Sequence, residues 1–214
     1  RFRAIKEQPI FYWWNEDFIN RYSTTPKLGD ETDIRVGLQT ANNIRFLRQI
    51  WEVDSKKVLI HPICQPYFGL PRTKWVPYIK GAEGRVWFEP ISDVLSWEPN
   101  ALAVKLMERD GEQTSRPQNE KYYFQVGVAF KSTGKHFTAR CHRVRSVFDV
   151  KGQSVFPRNI GNTVCLMNSK TARSILSALN PSISFQVGDA KRLPLFPIES
   201  ADEIFAQLET SFTQ

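Results

Sequence analysis

Three carboxamides and a hydroxyl crowd into five positions of this sequence, as Gln39, Thr40, Asn42 and Asn43. Such side chains both donate and accept hydrogen bonds, so the cluster suits base edges or phosphate oxygens. Gly37, just before it, lets the backbone turn where a side chain would clash. Asn42 or Asn43 can cap a following helix whose apolar face is Phe46, Leu47, Ile50 and Trp51, with Arg45 and Arg48 on its other side. An ordinary surface loop entering an amphipathic helix fits the same residues, so the cluster needs support from elsewhere in the chain.

Charge supplies some of it. The 214 residues carry 29 Lys+Arg against 22 Asp+Glu, a net +7, and an excess of that sign points first to polyanionic partners. Between positions 131 and 145 lie Lys131, Lys135, Arg140, Arg143 and Arg145 with His136 and His142, and no acid. On a strand, alternation sets Phe137, Ala139 and Cys141 on one face and His136, Thr138, Arg140 and His142 on the other. A half-buried hairpin with a basic outer row is what a groove-reading ribbon requires; a merely solvated face is the competing reading. A second segment, from Lys74 to Trp87, interleaves cations with aromatics. There Trp75, Tyr78 and Trp87 read as core, while Lys74, Lys80 and Arg85 read as phosphate contacts.

Catalytic constellations are poorly supplied. No Gly-x-Gly loop occurs, and Asn180-Pro181-Ser182, the nearest approach to the Asn-Pro-Pro-aromatic turn of base-amine methyltransferases, reads as a helix stop. Asp149-Val-Lys151 and Asp189-Ala-Lys191 each share the last triple of magnesium nucleases, which keeps a restriction-type nuclease as an alternative. The three histidines lack metal-ligand spacing, so no metal site and no catalytic residue is assigned. Cys64, Cys141 and Cys165 are scattered, which suits a reducing cytoplasm rather than a disulfide framework. No run approaches the ~18 apolar residues of a membrane span. The chain opens on Arg1 and is expected to be a piece of a longer protein.

The elements that must position these residues predict a mixed α/β (α+β) domain rich in antiparallel strands, with flanking helices. Residues 9–14 read as a buried entry run, and Asn15 caps a short helix ending near Tyr22. A turn follows at 26–30, then short strands and loops from 58 to 78, a turn at 81–84, a strand at 85–88, a helix over 100–109 and a polar loop over 110–119. Residues 122–130 alternate as a strand with Tyr122, Phe124, Val126, Val128 and Phe130 on one face. A hairpin turn at 132–134 leads into a strand over 136–144, followed by a short strand over 147–150. Ser169 caps a helix carrying Ala172, Ile175, Leu176 and Leu179 that stops at Asn180, and residues 183–187 read as a strand. Ser200 to Glu203 is a capping box opening a last helix, whose stripe of Ile204, Phe205, Leu208 and Phe212 suits a dimer or subunit contact. The division expected is a connecting segment (1–27), a central domain (28–198) and a connecting helix (199–214).

In order along the chain, Arg35-Val-Gly-Leu-Gln-Thr40 with 42–48, Lys74-Trp75 with Lys80-Gly81, Phe137-Thr-Ala-Arg140, Phe148-Asp149-Val150, Leu166-Met-Asn-Ser-Lys170, Leu179-Asn180-Pro181 and Phe185-Gln-Val-Gly-Asp189 with Leu193-Pro194 form a set. That set resembles the C-terminal region of the adenine-specific DNA methyltransferases of the BREX phage-exclusion type (PglX-like) and related type IIG restriction–modification enzymes. A fainter likeness to type I specificity subunits lies in Leu28-Gly29-Asp30 and Leu193-Pro194-Leu195. The resemblance implies a target-recognition domain that reads double-stranded DNA for a phage-defence or restriction enzyme. It also implies an N-terminal catalytic domain as partner, which carries the S-adenosylmethionine loop, with other phage-defence subunits as further partners and no cofactor in this piece. Ala41 and Ala82 stand where the family pattern has glycine. Gln39, Thr40, Asn42 and Asn43, with Arg45 beside them, are then the positioning or reading residues. Lys74, Lys80, Arg85, Lys131, Lys135, Arg140, Arg143 and Arg145 are the phosphate contacts. A protein-interaction module with a basic face is the remaining alternative.

Overall fold

The computed structural model describes residues 14–61, 73–81, 85–109, 111–134 and 136–213. Its strands are β1 (Asp33–Arg35), β2 (Leu47–Gln49), β3 (Trp75–Ile79), β4 (Trp87–Phe88), β5 (Asp93–Ser96) and β6 (Glu108–Arg109), then β7 (Glu112–Gln113), β8 (Val128–Lys131), β9 (Ala139–Cys141), β10 (Val147–Phe148) and β11 (Gly152–Phe156). The longer helices are α1 (Glu16–Thr24), α5 (Ile160–Asn168), α6 (Lys170–Leu179) and α8 (Ala201–Thr213); the short ones are α2 (Leu28–Glu31), α3 (Asn43–Phe46), α4 (Leu102–Lys105) and α7 (Val187–Lys191). The mixed α/β class expected from the sequence is the class found.

Strand β8 shows why the chain builds layers. Val128 and Phe130 enter one buried cluster while Ala129 between them enters another, so both faces of this strand must be covered. It lies at the centre of a five-stranded sheet ordered β1-β11-β8-β9-β4. One face is covered by helices, through Ile19 and Tyr22 of α1, Val164 and Met167 of α5, and Ile175 and Leu176 of α6. The other face meets a four-stranded sheet ordered β10-β3-β5-β2, whose Val76, Leu95 and Phe148 fill the second cluster. Local signals set the helix starts: Asn15, Asn159 and Ser169 accept hydrogen bonds from the backbone N–H three residues on. Asn168 then exchanges two 2.9 Å bonds with the backbone of Ala139, fastening α5 to β9.

Several expected elements are corrected. The helix begun at Asn43 lasts one turn, because Leu47 to Gln49 pair antiparallel with β5; Trp51, expected on its apolar face, is 73% exposed. The strand expected over 122–130 starts only at Val128, since Tyr122 lies in a 3-10 turn and Phe124 takes a left-handed φ of 62°. That turn swings Phe124 edge-on against Trp97, with centroids 5.1 Å apart. The helix expected over 100–109 is a single turn, followed by a small hairpin whose β6 takes the end of the expected helix and whose β7 lies in the expected polar loop. Of residues 183–187 only Ser184 makes a bridge and Val187 already opens α7, while Gly152–Phe156, where no strand was expected, forms β11 between β1 and β8 of the large sheet. In α8, Phe212 packs on Phe88 at 4.5 Å.

Candidate nucleic-acid interface

Strand pairing gathers residues distant in sequence at one end of the large sheet. Gly152 opens β11 opposite Lys131, which closes β8, and β8 and β9 run antiparallel. Strand β4 runs parallel to β9, with Trp87 beside Arg140. The start of β11, the end of β8 and the start of β4 therefore share one end, which carries Lys151, Lys131 and Arg85. At ~4.8 Å per strand that row spans about 14 Å. In the second sheet β3 runs parallel to β10, with Ile79 beside Phe148, so Lys80 and Asp149 emerge together. Gly81, at φ +99°, lies where a Cβ would come within 3.1 Å of the Lys151 carbonyl and 3.3 Å of Lys131 Cγ.

The polar loop closes this end. Gly37 presses so closely on Phe148 that a Cβ there would overlap its carbonyl oxygen. Leu38 N–H donates to that carbonyl at 2.8 Å, and Tyr78 Oη donates to the Leu38 carbonyl at 2.6 Å. Gln39 and Arg116 exchange both backbone bonds, at 3.0 and 2.9 Å. Thr40 is buried and its hydroxyl donates to Asn43 Oδ1 at 2.5 Å, while Asn42 Oδ1 caps the one-turn α3 by accepting from Arg45 N at 3.0 Å. Ala41 holds φ 60°. The result is an open cleft lined by Gln39, Thr40, Asn43, Asp149 and Lys151. Burial pushes the Asp149 carboxyl up from its ordinary pKa, opposed by the Lys151 and Val150 N–H groups and the charges of Lys80 and Lys151.

The predicted phosphate contacts divide. Lys80, Lys131 and Arg85 share the cleft end. Lys135 lies outside the described residues, as do Cys64, Ala82 and residues 9–13. Lys74 sits at the far end of β3, about 20 Å from Lys80 at ~3.4 Å per residue. Arg143 follows the other end of β9, and Arg145 donates to the Phe124 carbonyl at 2.8 Å. Arg45 is exposed, stacked 5.0 Å over Phe46 beside a shallow groove of Leu102, Leu106 and Met107.

Arg140 is the main correction. The strand expected over 136–144 is only β9, residues 137–142 around it are buried on both faces, and Arg140 is 0% exposed, with Nε donating to Glu89 Oε2 at 2.5 Å. It cannot present a solvent-facing basic row, because the second sheet covers that face. His142, on the same row, is 3% exposed, its ring nitrogens 3.2 Å from the Gln125 carbonyl and from Ser154 Oγ. Burial pushes its pKa down to about 4, so it is neutral at pH 7.

Two cations outside the predicted set also lie at this cleft. Lys151 figured only in the Asp-x-Lys triple and Arg116 only in a polar loop; both are exposed beside Gln39, and no sequence spacing signals it. The nuclease triples fare differently from each other. Asp189 is committed to capping α7 and bonding Asn180, through Gln186 N and Asn180 Nδ2 at 2.8 Å each. Asp149 faces the cleft. Among the described residues no three of His, Cys, Asp and Glu converge as a metal site, and no helix is long and apolar enough to cross a membrane.

No known family model matches the chain. Over 203 residues, 91% of its length, it is 29% identical to the adenine-specific methyltransferase PglX of Lacticaseibacillus casei (strain Zhang). Over a stretch of equal length it is 30% identical to the adenine-specific methyltransferase BrxX of Escherichia coli O9:H4 (strain HS). The matches cover 17% and 15% of those proteins, so the chain spans about a sixth of the curated relatives it resembles. The likeness to PglX-type adenine-specific methyltransferases read from the sequence is borne out by both.

Proposed function

We propose that this chain is the DNA target-recognition region of an adenine-specific methyltransferase of the PglX kind, acting in phage defence or restriction–modification in the cytoplasm. The observation that carries the reading is the common end of the two packed sheets, where Gln39 and Asn43 lie with Lys80, Lys131, Lys151 and Arg116. Amides beside exposed and half-buried cations combine the two contact classes of a duplex reader, base edges and phosphates. The likeness to two methyltransferases adds the context.

Methyl transfer belongs, in this reading, to the remainder of a longer protein, the recognition region's principal partner. We place S-adenosylmethionine there as well, since no Gly-x-Gly loop occurs in this sequence. Asn180, in the nearest approach to a base-methylating turn, spends its amide on the Ser184 carbonyl at 2.7 Å, Asp189 at 2.8 Å and Ser182 N–H at 3.0 Å. No step of the reaction is assigned to these residues. Their work is to hold the duplex in register.

Duplex binding over a salt series tests this. Each phosphate contact contributes roughly 0.9 to the slope of log K against log salt. Replacing Lys80, Lys131 and Lys151 together by Ala should lower that slope by roughly 2.7, with circular dichroism unchanged. An unchanged slope, or no duplex binding at low salt, overturns the reading.

A further inference from the structure

The geometry points to Gln39 as the side chain that reads one adenine of the bound site through its major-groove edge; this rests on the function proposed above. An adenine presents an N6 donor and an N7 acceptor there, and one carboxamide satisfies both with its oxygen and its N–H. The cluster holds three carboxamides, and the structure separates them. Asn42 Oδ1 is occupied by the Arg45 N–H, and Asn43 Oδ1 by the Thr40 hydroxyl. Thr40 itself is 3% exposed. Gln39 is exposed, and among the described residues its amide makes no hydrogen bond.

Its backbone, by contrast, is fixed. Both Gln39 main-chain groups pair with Arg116, and its neighbour Leu38 is pinned to Phe148 and Tyr78. A free amide on a fixed base loses only side-chain freedom when it binds. Arg116 and Lys151 flank it, so gripping phosphates on either side brings a groove to the amide. Guanine offers two acceptors in that groove, where arginine rather than glutamine is matched.

Selection of sites from random duplexes, followed by binding to the selected site, tests the assignment. The chain should prefer adenine at one position, and 7-deazaadenine there, which lacks the N7 acceptor, should weaken binding roughly 5- to 10-fold. Gln39→Ala should lose discrimination at that position alone by roughly 5- to 150-fold and become indifferent to 7-deazaadenine. Gln39→Arg should shift the preference to guanine. Because the Gln39–Arg116 bonds are main-chain, the melting temperature should not move. If Gln39→Ala selects the same site as the parent, or if no position shows any preference, the assignment is wrong. Preserved selection by the variant would leave the recognition function standing, whereas absence of duplex binding would overturn both.

Discussion

Arg140 gives the sharpest test of how this domain is held together. Its guanidinium is 0% exposed, donates to Glu89 at 2.5 Å and approaches Thr138 Oγ1 at 3.5 Å. Glu89 is 6% exposed, and burial already pushes its pKa up, with Arg140 opposing that shift. Arg140→Met keeps the apolar volume but leaves a buried carboxylate without its counter-charge, a loss of about 3–5 kcal/mol in comparable pairs. For a chain of this size that corresponds to a melting temperature lower by roughly 6–20 °C. Urea unfolding should show a lower midpoint with an unchanged slope.

The pH dependence fixes the cause. Without Arg140 the Glu89 pKa rises further, so the folded variant binds a proton that the unfolded chain does not, and its deficit shrinks as pH falls through that raised pKa. Adding Glu89→Gln should recover at least about half the loss at pH 7. A deficit under about 1 kcal/mol, the same at every pH, would refute the argument. So would an Arg140→Met protein that is fully stable yet binds DNA with a flattened salt slope, for Arg140 would then act at the surface.

Three further outcomes follow from the cleft and the core. Gly37→Ala should cost about 3 kcal/mol or more in urea unfolding, because a Cβ overlaps the Phe148 carbonyl; a loss below ~1 kcal/mol would mean that the loop does not seat there. Ala41→Gly should stabilise by up to about 1 kcal/mol by relieving a φ of 60°, and any destabilisation would contradict that backbone. His142, with its folded pKa pushed down to about 4 from 6.5, contributes stability that is present above pH 6.5 and lost as pH falls toward 4. The stability difference between pH 7 and pH 4 should therefore be about 3 kcal/mol smaller in His142→Gln, and an equal difference would place the ring in contact with water.

Some of this architecture was legible residue by residue. Asn15 and Ser169 cap α1 and α6 where the sequence says they should, because a cap depends on residues only three positions away. The crowding of Gln39, Thr40, Asn42 and Asn43 after Gly37 marked the loop that lines the cleft. Its division of labour was not legible: which amide caps, which is locked and which is free follows from a turn at Ala41 that no pattern announces.

Strand assignments failed where a distant partner decided. Leu47 to Gln49 have a helical apolar pattern and become strand because β5 offers a ladder of backbone bonds. Alternation along 137–142 predicted two faces correctly, but only the packing of a second sheet told that the face bearing Arg140 and His142 is dry. The sequence by itself determined the local stops and caps, the basic balance and the polar loop, since these depend on near neighbours and composition. Tertiary structure alone decided which cations reach solvent together. Lys80, Lys131 and Lys151 lie far apart along the chain and meet because strand order and direction place their strand ends side by side, while desolvation holds Arg140 inside with Glu89.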